Sequence, residues 1–291
     1  APTTAPSETP TQQSLSTDDT SCPVLVEDTL ASLDTVCAGT GRNQICYGNV
    51  RLTVERESGA TSLRFEQPGD IIDLAEIRQV QLAPMNLGAH EWGVALLKVQ
   101  ASIPDTLPGQ NVTMLLFGDV ELRNGTIPGQ AFYFKTGTSR AACAEAPEDG
   151  VLVQTPAGVG KVSFAMNNVE FELGSTAYLQ AEAGQQMAVT VLEGRADVTA
   201  AGVTQVVRAG TFTTLPLDAD ANPSGPPEPP QPYDAEPLRA LPLSSLERPV
   251  YVAGLVLSSD FVSDDEGWMV SGESSGLLHD AAGFICSSAN P

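Results

Sequence analysis

Apolar and polar residues alternate with a period of two through the stretch 150–218. Val169, Phe171 and Leu173 fall on one side of an extended chain and Glu170 and Glu172 on the other. The dipeptides Asn167-Asn168, Glu193-Gly194, Ala201-Gly202 and Ala209-Gly210 cut the stretch into pieces of roughly five to eight residues, the spacing of short antiparallel strands. The period becomes helical only between the first two cysteines. There Leu25 or Val26, Leu30, Leu33 and Val36 or Cys37 share a face, with Ser21 as a cap and Pro23 in the first turn.

Further strands are expected near Val50–Glu55, Thr61–Glu66, Glu91–Ala101 and Gln110–Leu122. The run Trp92–Pro104 is apolar on both faces, which predicts a central strand. Cys46–Asn49 (CYGN) reads as a turn, and the segment 72–80 as a short helix or a rim strand. Nine prolines between Pro223 and Pro249 favour polyproline II and a semi-rigid strap. Beyond it, Pro249–Leu257 has the pattern of one strand, which must add to a sheet in its own chain or in a neighbour. The expected fold is mainly β, with two β-sandwich or β-roll domains, one N-terminal helix, the proline-rich strap and the C-terminal strand. The expected division is an extended Pro/Thr/Ser-rich tail at 1–21, a helix plus β-domain at 22–142, a β-domain at 143–217, a linker at 218–248 and a strand with its tail at 249–291.

Charge changes the picture of partners. Across 291 residues 36 acids face 14 bases, a net charge of −22. Such a surface repels phosphate backbones and anionic headgroups, so nucleic acid is not an expected partner. No apolar run approaches the roughly 20 residues that span a bilayer, so membrane insertion is not expected. The chain starts at Ala1 with no signal-like segment, which leads to the expectation of an exported protein, extracellular or on the cell surface, with its signal peptide removed.

The five cysteines form no C-x-x-C pair, which points to disulfides rather than zinc or iron–sulfur ligation. A helix between Cys22 and Cys37 holds its ends about 20 Å apart, against about 6 Å between the Cα atoms of a disulfide. These two therefore do not pair with each other. The preferred solution is Cys37 with Cys46 and Cys22 with Cys143, leaving Cys286 as a free or intermolecular thiol.

Catalytic vocabulary is sparse. His90 lies in GAHEWGV without the second histidine of a zinc-protease motif, and His279 has Asp280 beside it but no G-x-S-x-G elbow anywhere in the chain. TPAGVGKV lacks the first glycine and the final hydroxyl residue of a phosphate loop. The chain is thus expected not to be an enzyme and to need no cofactor. Calcium is the one candidate ligand: Asp218, Asp220, Asn222 and Ser224 alternate as in a calcium loop, although Pro223 stands where glycine is wanted and no glutamate closes the loop. Asp264, Asp265 and Glu266 form a second acidic cluster. Asn111 and Asn124 head N-x-T glycosylation patterns.

Four motifs carry a resemblance: TPAG (Thr155–Gly158), LGSTAYL (Leu173–Leu179), VLEGRADV (Val191–Val198) and V.AGT (Val207–Thr211). With them, residues at about 150–217 resemble the extracytoplasmic β-domain of the FecR-like, iron-dicitrate sensor family. GRNQICYGN and EWGVALLKVQASIPDTLPGQ are similar to the N-terminal part of exported bacterial proteins that carry such a β-domain behind it. The resemblance implies a secreted, non-catalytic β-module. Together with the proline-rich segments, the lone strand and Cys286, it leads to the expectation of a structural protein of the bacterial cell surface or an extracellular filament. Such a protein would form a homopolymer through tail or strand contacts. A monomeric FecR-like sensing or ligand-binding module is the alternative.

Overall fold

β-Branched and aromatic residues in short alternating runs make strands, and here nearly all of them join one sheet. The computed structural model describes residues 18–59, 64–100, 111–125, 131–138 and 141–252, together with the backbone of 268–270, 276–279 and 284–287; of 18–20, too, only the backbone is described. The elements in chain order are α1 (Asp18–Val36), β1 (Gln44–Tyr47), β2 (Leu52–Arg56), β3 (Ile71–Asp73), β4 (Ile77–Leu82), β5 (Val94–Val99), β6 (Val112–Phe117), β7 (Val120–Asn124), β8 (Ala131–Thr136) and β9 (Gly150–Gln154). They continue with β10 (Val162–Met166), β11 (Val169–Ala181), β12 (Gln186–Ala200), β13 (Val203–Arg208), β14 (Thr211–Pro216) and β15 (Gln231–Pro232). The fold is mainly β with one N-terminal helix.

The first 15 strands form one sheet, in the order β2-β4-β7-β8-β10-β11-β9-β6-β5-β1-β3, with β12 on β11, β13 and β14 both on β12, and β15 on β14. The expected boundary at 142/143 falls between β8 and β9, and the sheet continues across it through the β6–β9 and β8–β10 pairs. The reason is length. β11 and β12 have 13 and 15 residues, so each serves both halves: the first part of β11 pairs with β10 and the second with β9. Glu193-Gly194, read as a turn, lies inside β12 at a register shift where Thr176 faces Glu193 and Ala177 faces Val191. This is a β-bulge with an extra residue, Leu192, and it bends the pair without ending it. The other turn signals are turns: Asn167-Asn168 and Ala201-Gly202 have φ of 53°, 60°, 50° and 76°, as a two-residue hairpin requires.

Side chains on the central strands divide between two buried faces. Ile45, Leu97, Met114, Leu116, Val151 and Val153 enter the main core with the interior of β10–β14. Cys46, Leu96, Leu115, Phe117 and Leu152 are equally buried but face the other way, the side on which α1 docks. Apolarity on both faces is therefore real in β5, which lies between β1 and β6. The buried stripe of α1 is Cys22, Leu25, Val26, Thr29, Leu33 and then Cys37. Thr29 takes the place expected of Leu30, because its hydroxyl accepts from Asn49 Nδ2 at 2.9 Å.

Several local expectations are corrected. α1 starts at Asp18, so Pro23 is inside the helix rather than in its first turn. Cys46 and Tyr47 belong to a strand, and the CYGN turn begins at Gly48, where a Cβ would come within 2.7 Å of Val94 O. Segment 72–80 is strand, one 3-10 turn (Leu74–Glu76) and strand again. Gly118, with φ 80°, splits 110–122 into β6 and β7. Arg64–Glu66 is not in a strand, and the rest of the expected Thr61–Glu66 strand lies outside the described residues, as does the tail 1–17. β8 was not foreseen.

The segment 218–248 is no free linker. Its backbone pairs with β14 at Gln231 and Pro232, and Glu228 N donates to Thr214 O at 2.8 Å. Leu238, Leu241 and Leu246 are buried, so the strap is part of the fold's cover. Pro249–Val252 is not in a strand, and 253–257, the rest of the expected C-terminal strand, lies outside the described residues. Residues 255–291 form a second unit in which β16 (Trp268–Val270), β17 (Gly276–His279) and β18 (Phe284–Ser287) make a three-stranded antiparallel sheet. That stretch was expected to be loop and tail.

The disulfides are Cys22–Cys143 and Cys37–Cys46, the expected pairs, with sequence separations of 121 and 9. Each ties α1 or its end to the rest of the fold. Chain-entropy arguments assign about 5 kcal/mol to closing the long loop and about 3 kcal/mol to the short one. Urea denaturation of the Cys22→Ser/Cys143→Ser and Cys37→Ser/Cys46→Ser double variants should therefore show the larger loss of stability in the first.

Candidate functional site beneath the strap

Antiparallel pairing places directly opposed residues on one face of a sheet. The registers align Asp73, Gln44, Lys98, Thr113, Gln154, Thr176 and Glu193 in a single row across β3, β1, β5, β6, β9, β11 and β12. Every member is polar, and the row runs across the face opposite the main core. Thr113, Gln154 and Thr176 are at most 2% exposed. Buried polar groups of this kind are costly unless they are hydrogen-bonded.

The end of the strap supplies the bonds. Arg248 N donates to Gln154 Oε1 at 3.1 Å, and Gln154 Nε2 donates back to Arg248 O at 3.0 Å, as a strand neighbour would. The Arg248 guanidinium reaches Glu193 Oε2 at 2.5 Å, Ser175 Oγ at 2.7 Å and Thr176 Oγ1 at 3.3 Å, while Ser175 Oγ itself donates to Glu193 at 2.8 Å. One residue earlier, Glu247 pairs with Lys98 Nζ at 2.9 Å. At the far end of the row Gln44 Nε2 donates to Asp73 Oδ1 at 3.2 Å. Thr113 is the exception: among the described residues its hydroxyl has no partner.

Arg248 sits at the bulge, and the bulge depends on backbone that only small residues permit. Gly194 has φ 73°, and a Cβ there would lie 2.1 Å from Gly174 O. Ser175 has φ 137°. The loop Thr155–Gly160 and Gly174 border a cleft of about 300 Å³ over the Arg248 guanidinium. Close by, Tyr178 packs where a Cβ on Gly150 would be 2.3 Å from its ring. Its phenol donates to Glu148 O at 2.8 Å, and burial pushes its pKa well above the ordinary value.

Farther along β11 and β12 is an ion cluster. Arg195 Nε and Nη2 bind Asp197 at 2.7 and 2.9 Å, and Lys161 contacts Asp197 and, at 3.0 Å, Glu172. The Arg195 hydrogen bonds, then Lys161, hold the Asp197 carboxyl below its ordinary pKa, and Asp197 and Glu172 raise that of Lys161. The lysine of TPAGVGKV thus serves an ion cluster.

The candidates read from sequence lie elsewhere. Asp218 Oδ1 accepts the backbone N–H groups of Asp220 and Asn222 at 2.9 and 2.8 Å, and Asn222 Oδ1 accepts from Asn168 at 2.9 Å. Ser224 N donates to Pro216 O. Asp218, Asp220, Asn222 and Ser224 therefore build a self-capped turn. Among the described residues no group of three or more His, Cys, Asp or Glu is placed to hold a metal ion. Asn124 Nδ2 donates to Leu74 O and Ile77 O, both at 2.7 Å. Asn111 precedes β6, in which Thr113, its sequon threonine, is buried. His90 is exposed in a turn with φ 57°. Asp264–Glu266 and the side chains of His279 and Cys286 lie outside the described residues.

The residues of the polar row were missed, although three of them leave a mark in the sequence. Lys98 and Thr113 are the only polar residues in VALLKV and VTMLLF, and Gln154 is the only one in GVLVQ. Arg248 left no comparable mark.

No family model and no curated protein sequence matches the chain. Two crystal structures of a candidate anti-sigma factor from Parabacteroides distasonis are similar at 13% and 12% identity, each with a TM-score of 0.32. The match covers 48% and 49% of this chain and 61% and 62% of theirs, so this chain spans less than two thirds of that protein's length.

Two outcomes test the site. Arg248→Ala should lower stability by about 2 kcal/mol and expose the strap 233–248 to limited proteolysis before the sheet unfolds. Asp197 has a depressed folded pKa, so its stabilising contribution is present above the unfolded value of about 3.9 and is lost as pH falls through the folded value. The stability gap between wild type and Asp197→Asn, read from urea midpoints, should be open at pH 7 and close below about pH 4.

Proposed function

We propose that the chain is an exported, non-catalytic structural protein of the cell surface or of an extracellular filament, assembling with copies of itself by strand addition. One observation carries this: β13 is a regular edge strand that, among the described residues, pairs with β12 alone. Ala200 and Val203 flank the two-residue turn and make the hydrogen-bonded pair that closes it, so alternate residues of β13 point their backbone groups outward. The N–H and C=O of Thr204 and Val206 face away from β12. Those of Arg208, next in the series, are capped by Thr211 Oγ1. Val203 and Val206 are 40% and 38% exposed, an unusual price in apolar surface for an edge.

The donor is the segment Pro249–Leu257 of a second copy, PVYVAGLVL, which is apolar on both faces and of strand length. Its start is fixed on each subunit by the Arg248 bonds to the sheet. Two disulfides suit an oxidising compartment, and among the described residues no helix is long and apolar enough to cross a membrane. The alternative, a monomeric FecR-like sensing module, draws on the motifs LGSTAYL, VLEGRADV and TPAG, which lie at the bulge and the cleft beside it.

Because each copy carries a net charge of −22, assembly should require salt that shortens the screening length to about 10 Å or less. Light scattering and electron microscopy of the full chain should show polymers in moderate salt and dispersed protein at low ionic strength. Val206→Pro removes an outward N–H and leaves the β12 ladder intact; it should abolish polymers with little change in melting temperature. Leu255→Asp/Leu257→Asp should do the same from the donor side. A wild-type chain that stays monomeric in all salts, or polymers that survive both variants, overturns the proposal.

A further inference from the structure

Every residue from Gly225 to Pro232 is a proline or stands directly before one. Proline fixes its own φ near −65° and pushes the residue before it out of the helical region, so sterics alone confine this part of the strap to extended, polyproline II-like backbone with about three residues per turn. Burial follows that period. Pro226, Pro229 and Pro232 are exposed, whereas Pro227 is buried and Pro230 and Tyr233 are half-buried. One ridge therefore faces the sheet, and a second ridge, made only of prolines, faces outward. The third holds Glu228, Gln231 and Asp234, all exposed.

The segment is held in this form by its own chain. Glu228 N donates to Thr214 O at 2.8 Å and Tyr233 N to Gly210 O at 3.2 Å. Thr213 Oγ1 donates to Glu228 O at 2.6 Å, and Gln231 and Pro232 pair with β14. Among the described residues no donor reaches the carbonyl oxygens of Pro226 or Pro229. A partner would thus meet a ligand whose ordering cost is already met by folding.

The surface that takes such a ridge is a groove lined by aromatic side chains, whose faces pack against proline rings and whose polar tips bond to the carbonyls between them. A second copy of this chain does not supply one. Among the described residues its exposed large hydrophobic side chains are Val24, Val203, Val206 and Tyr251, with a single aromatic ring. Charge sets the rim of the groove. Glu228 and Asp234 flank the proline ridge in a chain of net charge −22, and the nearby Arg239 is held by Glu236 at 2.8 Å, so a basic rim is complementary. We propose that the strap at 225–232 is a preformed polyproline II ligand whose outward ridge, Pro226, Pro229 and Pro232, docks into an aromatic-lined groove with a basic rim on a different protein.

The test uses low ionic strength, which keeps copies of the chain apart, so it does not depend on assembly. Isotope-labelled SH3, WW and EVH1 domains, chosen with basic groove rims, serve as separate probes and are titrated with the full, oxidised chain. At least one should show saturable NMR shifts at its groove aromatics, with a dissociation constant on the order of 0.1 mM. Pro226→Ala/Pro229→Ala removes two outward rings while leaving the residues that face the sheet; it should weaken that probe at least about tenfold with little change in melting temperature. Glu228→Arg keeps every proline and guards against a double variant whose strap comes loose. It should weaken the same probe several-fold at low ionic strength, and the difference from wild type should shrink as salt is added. Absence of saturable shifts from all three probes overturns the proposal, as do shifts that lie away from the groove aromatics. Affinity that survives Pro226→Ala/Pro229→Ala, or that Glu228→Arg leaves unchanged or raises, overturns it as well.

Discussion

The bulge in the β11–β12 pair is the constraint on which the architecture depends. Strands of 13 and 15 residues are too long for one small sandwich, and a straight pair would carry the sheet past its own core. The extra residue at Leu192, with Gly194 in a left-handed conformation against Gly174, bends both strands together. The two halves of the sheet thereby close on a shared interior, in which Leu173 and Val198 from one side of the bend join Leu179 and Val189 from the other. Adding a methyl group at Gly194 sets a Cβ against a carbonyl oxygen that belongs to the bend itself, so neither strand can yield without giving up the geometry that joins them.

The strap completes what the bend leaves open. Bending brings Ser175, Thr176 and Glu193 to the end of the polar row, and Arg248 answers all three with one guanidinium. Proline suits the approach. A polyproline segment has little conformational entropy to lose on docking and brings few N–H groups that need partners. Where the strap needs hydrogen bonds, at Glu228, Gln231 and Arg248, it has residues other than proline.

Period and turn chemistry were legible for β10, β11, β13 and β14 because the alternation there is local and one face is wet. The helix and the pairing of four cysteines followed from spacing and reach alone. Other features depend on partners distant in sequence. Glu193-Gly194 carries the signature of a turn, and it is a bulge only because Thr176 and Ser175 lie opposite it. Cys46 and Tyr47 look like turn residues until Leu96 and Ala95 pair with them. The prolines forecast a strap without saying what it would cover, since Gln154 and Arg248 are 94 residues apart. Lys98 and Thr113 are polar residues in apolar strands, a signal that gains meaning only when the register aligns them.

Edges are where such a sheet meets its surroundings, and this chain treats them unequally. β2, at one end, ends in the charged residues Glu55 and Arg56, and β3, at the other, is three residues long; both devices discourage pairing. The edge of β14 is occupied by β15. Among the described residues β13 has neither shortness nor a covering strand on its outer edge. It has an arginine at its end, but between Val203 and Val206 it holds only threonine and glutamine, residues that favour or tolerate a neighbouring strand. In a chain with 36 acids, a placement of even one carboxylate on this edge would have been a simple means of protection. Its absence from β13, beside the protection given to every other edge named here, is the pattern of a surface kept for a partner strand, with the overall negative charge restraining encounters until salt admits them.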